Sequence, residues 1–294
     1  KKNNIVYVAK NDVELLAVSN FISNNFSDIN IYSIPSWDCL PYDISSPNYN
    51  IISERIKTFT NLSFSNETSS DNNLFLTTIN GLLIKTAPKD FYLSNFLKIN
   101  NSNENSFKNI NDFLNNVVYN RVQTVRELGE FSIRGSILDI FPIGYDHAVR
   151  IDFLGEKIET IKKMDPLTQR SGELLKFVNI YLPNEYLLNE KTIENFRTKF
   201  RAFKGLDSKN NIIYEKISSG IKFDGIEHFL PLFHNEMLNS FFDFIPQNNI
   251  LKFVFTKNFS NQIDERFEEI DNFYELRKIE KSDNAIIKVE DLYL

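Results

Sequence analysis

The sequence has one cysteine, three histidines and no long apolar segment. Its cysteine, Cys39, can form neither an internal disulfide nor a cysteine metal cluster, which is typical of a protein from a reducing compartment. No apolar run approaches the roughly 20 residues that a membrane-spanning helix needs, and the N-terminal KKNN leads into a strand rather than a secretory signal. We therefore expect a cytoplasmic protein with no membrane partner.

The sequence also lacks an excess of positive charge. It holds 33 Lys and Arg residues against 39 Asp and Glu residues, a formal net charge of -6. Sequence-independent affinity for nucleic acid depends on an excess of cations, so this balance argues against a surface that binds phosphate throughout. The composition is still compatible with a local basic patch on the surface. At 294 residues, with 42% hydrophobic residues, the chain is long enough for two or three domains, and its first residue, Lys1 rather than Met, is compatible with a piece of a longer protein.

The first ninety or so residues alternate strand and helix patterns. IVYVA (5–9), INIYSI (29–34) and LFLTTI (74–79) predict strands, and the segments between them predict helices. Such alternation is typical of a parallel sheet covered on both faces. IPSWDCLPYDISSP (34–47) is rich in Pro, Asp and Ser and predicts a long loop.

The two longer helices of this part have distinct signals. Asn11 and Glu14 have the spacing of a capping box at the start of the first helix. The 3.6-residue period then places four apolar residues on one face of it: Val13, Leu16, Ala17 and Phe21. In the second helix the repeat consists of Ile52, Ile56 and Phe59.

A different pattern begins near residue 93. FLKIN (96–100) and a polar, asparagine-rich turn precede a helix, which has apolar residues at Phe107, Ile110, Phe113 and Leu114. ELGEFSIRGSILDIFPIG (127–144) and the residues after it alternate apolar and polar positions, with glycines where strands bend or end, which predicts an antiparallel meander. We expect a small α+β unit that ends near VNIYLP (178–183).

The remainder predicts an α/β region again. One helix carries Ile193, Phe196, Phe200 and Phe203, and a later one carries Ile263, Phe267, Ile270 and Phe273. LKFVF (251–255) and AIIKV (285–289) predict buried strands.

No residue set predicts phosphate or metal chemistry. GIKFDGIE (220–227) has the glycine spacing of a phosphate loop, yet Ile226 and Glu227 stand where Lys and Ser or Thr are required, so two turn glycines are the better interpretation. IDER (263–266) faintly resembles the magnesium-binding acidic pair of helicases. It falls within an amphipathic helix rather than at the end of an apolar strand, so we give this match little weight. We predict no catalytic residue and no cofactor.

The histidines and the cysteine predict no metal site and no activated nucleophile. His147, His228 and His234 have no second histidine or cysteine at ligand spacing; His147 falls in a polar turn, while the other two flank the apolar FLPLF. Cys39 has no histidine near it in sequence, so we interpret it as a small buried filler, although a partner could lie close in space.

Two arginines lie within the predicted meander. In AVRIDFL (148–154), alternation puts Arg150 and Leu154 on the face opposite Val149 and Ile151, which makes a small apolar and cationic patch. The face of Arg134 depends on whether Gly135 forms a bulge. Two interpretations stay open, namely a partner contact and a cross-strand ion pair with Asp139 or Asp152.

Several segments resemble a known family. They are WDCLPYDISSPNYNIISERIKTF (37–59), GEFSIRGSILDIFPIG (129–144), VRIDFLGEKIETIKKMDPLTQRS (149–171), GIEHFLPLF (225–233) and DLYL (291–294). In identity and order they resemble the N-terminal, UvrB-like module of bacterial transcription-repair coupling factors (Mfd). The resemblance implies an α/β fold: a degenerate helicase-like (RecA/UvrB-like) parallel-sheet body from residues 1–92 and 187–294, with an inserted, UvrA-binding α+β domain at 93–186.

The resemblance also implies partners and site residues. Arg134 and Arg150 match arginines through which the family's inserted domain docks on UvrA, and Leu154 stands where a third contact is often aromatic. In the family, RNA polymerase and DNA bind through domains that are absent from this chain, the ATP-driven DNA translocase among them. The family's helicase-like domain lacks a working phosphate loop, and the chain begins after the strand and helix that would flank one.

The resemblance implies a non-catalytic adaptor that recruits UvrA of nucleotide excision repair to stalled transcription complexes. The alternative is a fragment of an ATP-dependent DNA helicase or UvrB-type repair protein whose phosphate-binding loop lies outside the chain. A G-x-x-x-x-G-K-[S/T] sequence upstream of Lys1 would favour that alternative. Direct DNA binding is a third possibility, which the acidic balance disfavours.

Overall fold

The computed structural model describes residues 3–64, 72–101, 105–204, 211–245, 250–255, 258–280 and 287–294. The strands form a 4-stranded sheet, a 6-stranded sheet and a 2-stranded ladder. Among these residues no helix combines the length and the apolar character that crossing a membrane requires.

The 4-stranded sheet is parallel throughout. Its strands are β1 (Asn3–Ala9), β2 (Ile29–Ile34), β3 (Asn72–Thr78) and β12 (Ile250–Val254). They lie in the order β12, β1, β3, β2, so the two central strands are β1 and β3. Every residue of β3 after Asn72 is buried, as expected for a strand with helices on both faces. This sheet confirms the predicted parallel architecture.

Four helices come from the same part of the chain: α1 (Asp12–Asn25), α2 (Tyr49–Phe64), α3 (Ile79–Leu83) and α4 (Lys89–Ser94). The Asn11 side chain accepts a hydrogen bond from the backbone N–H of Glu14 at 2.9 Å, so the predicted cap of α1 is confirmed. In α2 the predicted repeat of Ile52, Ile56 and Phe59 is buried.

The predicted apolar face of α1 does not pack on the sheet. Val13, Leu16 and Phe21 are 78%, 59% and 61% exposed, and Leu15 is buried in their place, with partly buried neighbours on its own face. The helix has apolar residues at 13, 15, 16, 17 and 18, so its sequence offers two possible faces, and periodicity alone selected the wrong one.

The ends of the α+β region are held together by a short ladder. β4 (Leu97–Asn100) pairs antiparallel with β11 (Phe177–Ile180). Helix α5 (Phe107–Asn116) follows β4; the Ser106 side chain caps its N-terminus, and Ile110 and Leu114 are buried.

The 6-stranded sheet contains the predicted meander. Its strands are β5 (Asn120–Arg121), β6 (Glu130–Arg134), β7 (Ile137–Ile140), β8 (Ala148–Leu154), β9 (Lys157–Met164) and β10 (Ser171–Leu174). Their order is β10, β9, β8, β7, β6, β5; neighbours from β6 to β10 are antiparallel, and β5 joins β6 in parallel. One face belongs to the main core, with Phe131, Leu138 and Ile151 all 0% exposed.

The rest of the chain is mainly helical. Its helices are α6 (Glu190–Lys204), α7 (Ile212–Ser218), α8 (Leu230–Phe233), α9 (Phe259–Ile279) and α10 (Val289–Leu292), with 3-10 turns at Ile226–Phe229 and Phe241–Phe244. Phe196, Phe200 and Ile270 are 0% exposed, as the helical periods predict, but Phe203, the last residue of the predicted apolar face of α6, is 51% exposed. β12 returns the chain to the parallel sheet, beside β1.

Two strand predictions in this part need correction. LKFVF overlaps β12 at residues 251–254, but Phe253 and Val254 are 40% and 44% exposed rather than buried, because β12 is an edge strand of its sheet; Phe255, just after the strand, is 52% exposed. AIIKV was expected to be a strand. Residues 285 and 286 lie outside the described residues, and 287–289 form a bend and the start of α10.

A buried ion pair fixes the end of the α+β region to α2. Arg55 donates from Nε to Oε1 of Glu185 at 3.0 Å, and the two side chains are 0% and 2% exposed. Arg55 also donates to the Pro35 carbonyl at 3.2 Å, and Glu185 accepts from the Thr86 hydroxyl at 3.1 Å. Removing one partner of such a pair leaves an uncompensated buried charge, at a cost of about 3–5 kcal/mol. The domain boundaries at 92/93 and 186/187 stay predictions.

Candidate functional site

Arg134 and Arg150 lie on the same face of the 6-stranded sheet. Ser132 of β6 is opposite Asp139 of β7, and Asp139 is opposite Arg150 of β8. Residues opposite each other across a ladder share a face, and Arg134 is two residues from Ser132. The two arginines and Asp139 therefore form one cluster.

Gly135 settles which way Arg134 points. It is the first of the two turn residues between β6 and β7, with φ +62°, and Arg134 pairs directly with Ile137 across the turn. A glycine with positive φ at this position is typical of a tight two-residue hairpin, not of a bulge. The alternation of β6 therefore continues to its last residue.

Asp139 binds both arginines. Its side chain is 1% exposed, and it accepts from Arg150 Nε at 2.6 Å and from Arg150 Nη2 at 2.9 Å, a bidentate contact. Arg134 Nη2 donates to the same carboxylate. The hydrogen bonds to Asp139 raise the pKa of Arg150 above its ordinary value. Of the two open interpretations, the cross-strand ion pair is thus present, and its carboxylate is buried.

The two arginines differ in how many of their N–H groups are already bonded within the protein and in how exposed their side chains are. All five N–H groups of Arg150 have an acceptor: Asp139 takes two, and the Gln169 carbonyl, Ser171 Oγ and Met164 Sδ take one each. Its side chain is 16% exposed. The Arg134 side chain is 50% exposed and bonds only to Asp139 among the described residues. Arg134 is therefore the more accessible cation.

Leu154 ends β8 on the same face and is 75% exposed, while Val149, Ile151 and Phe153 are buried as alternation predicts. Between Leu154 and Arg150 lies Asp152, which accepts from Thr160 at 2.6 Å and from Lys162 at 2.9 Å. Partial burial opposes ionisation of Asp152, but these hydrogen bonds outweigh it, and its pKa is lowered. We name the face formed by Arg134, Asp139, Arg150 and Leu154 the arginine face.

Comparison with known proteins gives this region a name. Residues 97–186 match the family model described as the UvrB interaction domain. The chain is 32% identical over 284 residues to the transcription-repair-coupling factor of Rickettsia bellii (strain RML369-C), covering 93% of this chain and 25% of that protein. It is 36% identical over 238 residues to that of Rickettsia conorii (81% and 21%), and 29% identical over 247 residues to that of Escherichia coli K12 (84% and 21%).

The chain belongs to the transcription-repair-coupling factor family. It spans about a quarter of the length of the curated relatives it matches. The matched domain runs from the first residue of β4 to the residue after Glu185, so it contains the 6-stranded sheet and the arginine face. This coupling-factor chain therefore contains a protein-interaction domain.

Outside that domain, the coupling-factor chain brings Cys39 close to a histidine. Cys39 Sγ lies 3.9 Å from His228 Nε2. Burial, together with nearby Asp38, Asp43 and Glu227, raises the pKa of the thiol to about 12, and burial lowers the pKa of His228 to about 4. Both groups are therefore neutral near pH 7, the opposite of an activated thiolate–imidazolium pair.

The other polar motifs have structural roles. His228 and His234 are 0% and 5% exposed, and no group of three or more potential metal ligands occurs among the described residues. His147 is paired with Asp146 at 2.6 Å. Gly220 and Gly225 have φ +69° and +86°, so the glycines of GIKFDGIE are turn residues, and IDER lies inside α9.

Sequence reasoning did not predict that Asp139 is buried and shared by both arginines. Ser132, directly opposite Asp139 on the same face, is buried as well, and its Oγ donates to the Gln123 carbonyl at 3.0 Å. The available signal was the position of Asp139 within the apolar run ILDIF, where a carboxylate on a strand needs a cationic partner.

Proposed function

We propose that the chain is the UvrB-like adaptor module of a transcription-repair-coupling factor, and that its arginine face docks on UvrA. The observation that carries the proposal is the arginine face itself: an exposed guanidinium and an exposed leucine on a rigid sheet, within the domain matched as the UvrB interaction domain. By binding UvrA, the module recruits nucleotide excision repair to stalled transcription complexes. RNA polymerase and DNA bind through parts of the family that lie outside this chain.

The three predicted contact residues have different roles in this proposal. Arg134 and Leu154 contact UvrA directly, because they are the exposed members of the face. Arg150 adds positive charge and holds Asp139, since its own N–H groups are engaged within the chain. UvrA is expected to offer carboxylates and a shallow apolar pocket.

The remaining residues serve as a non-catalytic support. We propose residues 1–92 and 187–294 as one body and 93–186 as the inserted domain. The pairing of β12 with β1, which joins the first and last segments in one sheet, supports this division. No ATP hydrolysis is expected of the chain, because GIKFDGIE, which has the glycine spacing of a phosphate loop, carries Ile226 and Glu227 where Lys and Ser or Thr are required.

Calorimetric titration of UvrA into the purified chain tests the proposal. We expect a saturable complex with the wild type, and a loss of affinity for Arg134→Glu on the order of thirtyfold to several thousandfold, since like charges would then face each other. Arg201→Glu is the matched control, as Arg201 is an exposed arginine on α6, outside the sheet. Normal binding by Arg134→Glu and Leu154→Ala would exclude the arginine face as the docking surface.

Two further measurements test the absence of other activities. Purified chain with Mg²⁺ and ATP should show no turnover above background. Duplex DNA should bind weakly and be released by physiological salt, because a net charge of -6 leaves few cations for phosphate. Submicromolar DNA affinity at physiological ionic strength would instead favour a DNA-binding module.

A further inference from the structure

The loop between β9 and β10, residues 165–170 (DPLTQR), lies beside the arginine face. Arg150 Nη1 donates to the Gln169 carbonyl and to Ser171 Oγ, each at 3.3 Å. The loop directly follows Met164, which pairs with Ala148 at the start of β8. Along β8, Arg150 therefore has this loop on one side and Leu154 on the other. Four residues of strand, about 13 Å, separate Arg150 from Leu154.

Internal hydrogen bonds fix the shape of the loop. The Asp165 carboxylate accepts from the backbone N–H groups of Leu167 at 2.8 Å and Thr168 at 3.1 Å, and these bonds lower its pKa. Gln169 has φ +59°, and its side-chain amide donates to the carbonyls of Val125 and Pro166 at 2.9 and 2.7 Å. A loop so ordered loses little conformational entropy when it binds a partner.

The loop presents two side chains that the fold does not use. Leu167 is 89% exposed, the highest value among the exposed large apolar side chains of the described residues. Arg170 is exposed, and its guanidinium makes no hydrogen bond or ion pair with another described residue. One exposed leucine is ordinary on a protein surface. A leucine and an unpaired arginine on a rigid loop repeat the composition of Leu154 and Arg134.

We propose that the 165–170 loop is a second contact arm for UvrA, with Leu167 as an apolar anchor and Arg170 as a cation facing an acidic residue. The proposal rests on the proposed function and extends it. UvrA is the expected occupant for reasons of charge and continuity. Arg134 and Arg150 share a single carboxylate, Arg170 has none among the described residues, and the loop lies within the domain matched as the UvrB interaction domain. The binding surface is then a strip with leucines at both ends and arginines between them.

Binding kinetics with immobilised, purified UvrA test the loop. Leu167→Ala should dissociate about tenfold faster, because most of the effect of losing an apolar anchor is in the dissociation rate. Arg170→Ala should associate severalfold more slowly and show a weaker dependence on salt. Leu167→Met, which keeps the apolar surface, should stay within about twofold of wild type. Leu16→Ala on α1 and Arg201→Ala on α6 are matched controls, since both residues are exposed and lie outside the sheet.

The possible outcomes separate the two proposals. If Arg134→Glu loses affinity while Leu167→Ala and Arg170→Ala bind like wild type, the second arm is refuted and the arginine face stands. If the wild-type chain does not bind UvrA, both fail. Thermal unfolding of both loop variants should match wild type, because neither side chain packs in the fold; a shared loss of stability would mean that the loop is structural and would also overturn the proposal.

Discussion

Arg134 and Arg150 both pair with Asp139, but replacing one or the other with alanine should lower the free energy of unfolding by different amounts. In Arg134→Ala, the buried carboxylate keeps both hydrogen bonds from Arg150. Because the Arg134 side chain is 50% exposed, its pair is expected to contribute only about 0–1 kcal/mol to the free energy of unfolding. Arg134→Ala should therefore unfold close to the wild-type temperature.

Arg150→Ala leaves Asp139, 1% exposed, with one half-exposed partner. It also removes the donors to Gln169 and Ser171, which hold the 165–170 loop. Breaking a fully buried pair costs about 3–5 kcal/mol. Since Arg134 remains and Arg150 is 16% exposed, we expect a loss of about 2–3 kcal/mol, or roughly 3–5 °C in the unfolding temperature of a chain of this length.

Thermal unfolding by circular dichroism and UvrA affinity should be measured on the same preparations. Arg150→Lys serves as the charge-conserving control; it should recover only part of the stability, since an ammonium cannot make the bidentate contact. Wild-type unfolding temperatures for both Arg134→Ala and Arg150→Ala would show that Asp139 does not depend on Arg150. Equal destabilisation by both would refute the distinction between an accessible and an internal arginine.

Three other predictions follow from the buried groups. Burial lowers the pKa of His228 and His234 to about 4, so the unfolded chain binds more protons than the folded chain between pH 4 and 6.5. The free energy of unfolding should therefore fall by about 2 kcal/mol per histidine between pH 7 and pH 5. In urea titrations, His234→Asn should make this dependence on pH weaker. With its pKa raised to about 12, Cys39 should react with a disulfide reagent at pH 8 far more slowly than in urea, and equal rates would contradict this assignment. Gly225→Ala should destabilise the fold by roughly 2 kcal/mol, because φ is +86° and a Cβ would lie 2.8 Å from the Ile44 carbonyl oxygen. Gly155→Ala, where no atom lies within 4 Å of the added Cβ, should cost less, and the same unfolding assay compares the two variants.

Local periodicity was enough to predict most elements and the outward direction of Arg150 and Leu154. Both follow from the alternation of a strand, which needs only the neighbouring residues. The direction of Arg134 depends on whether Gly135 is a turn or a bulge, and the two have the same local sequence signal. The face of α1 was wrong because apolar residues surround that helix, and only the sheet beneath selects among them.

Features that depend on distant segments could not be predicted from sequence. Cys39 and His228 are 189 residues apart in the chain, so their 3.9 Å separation is a product of tertiary packing. The hydrogen bond from Arg150 to the Gln169 carbonyl, which connects the 165–170 loop to the arginine face, is not predictable from local sequence patterns. Leu167 and Arg170 therefore looked like ordinary loop residues.

The late position of β12 affects how the protein is made. Asn3 of β1 pairs with Ile250, so β1 cannot gain β12 as its neighbour until the residues around 250 have left the ribosome. The hairpins from β6 to β10 join strands that are close in sequence and can pair much earlier. During synthesis, the 6-stranded sheet can therefore be complete while the edge of β1 that later pairs with β12 is still open to other chains. A truncated product ending near residue 186 would combine a complete 6-stranded sheet with an open edge on β1, a site for aggregation.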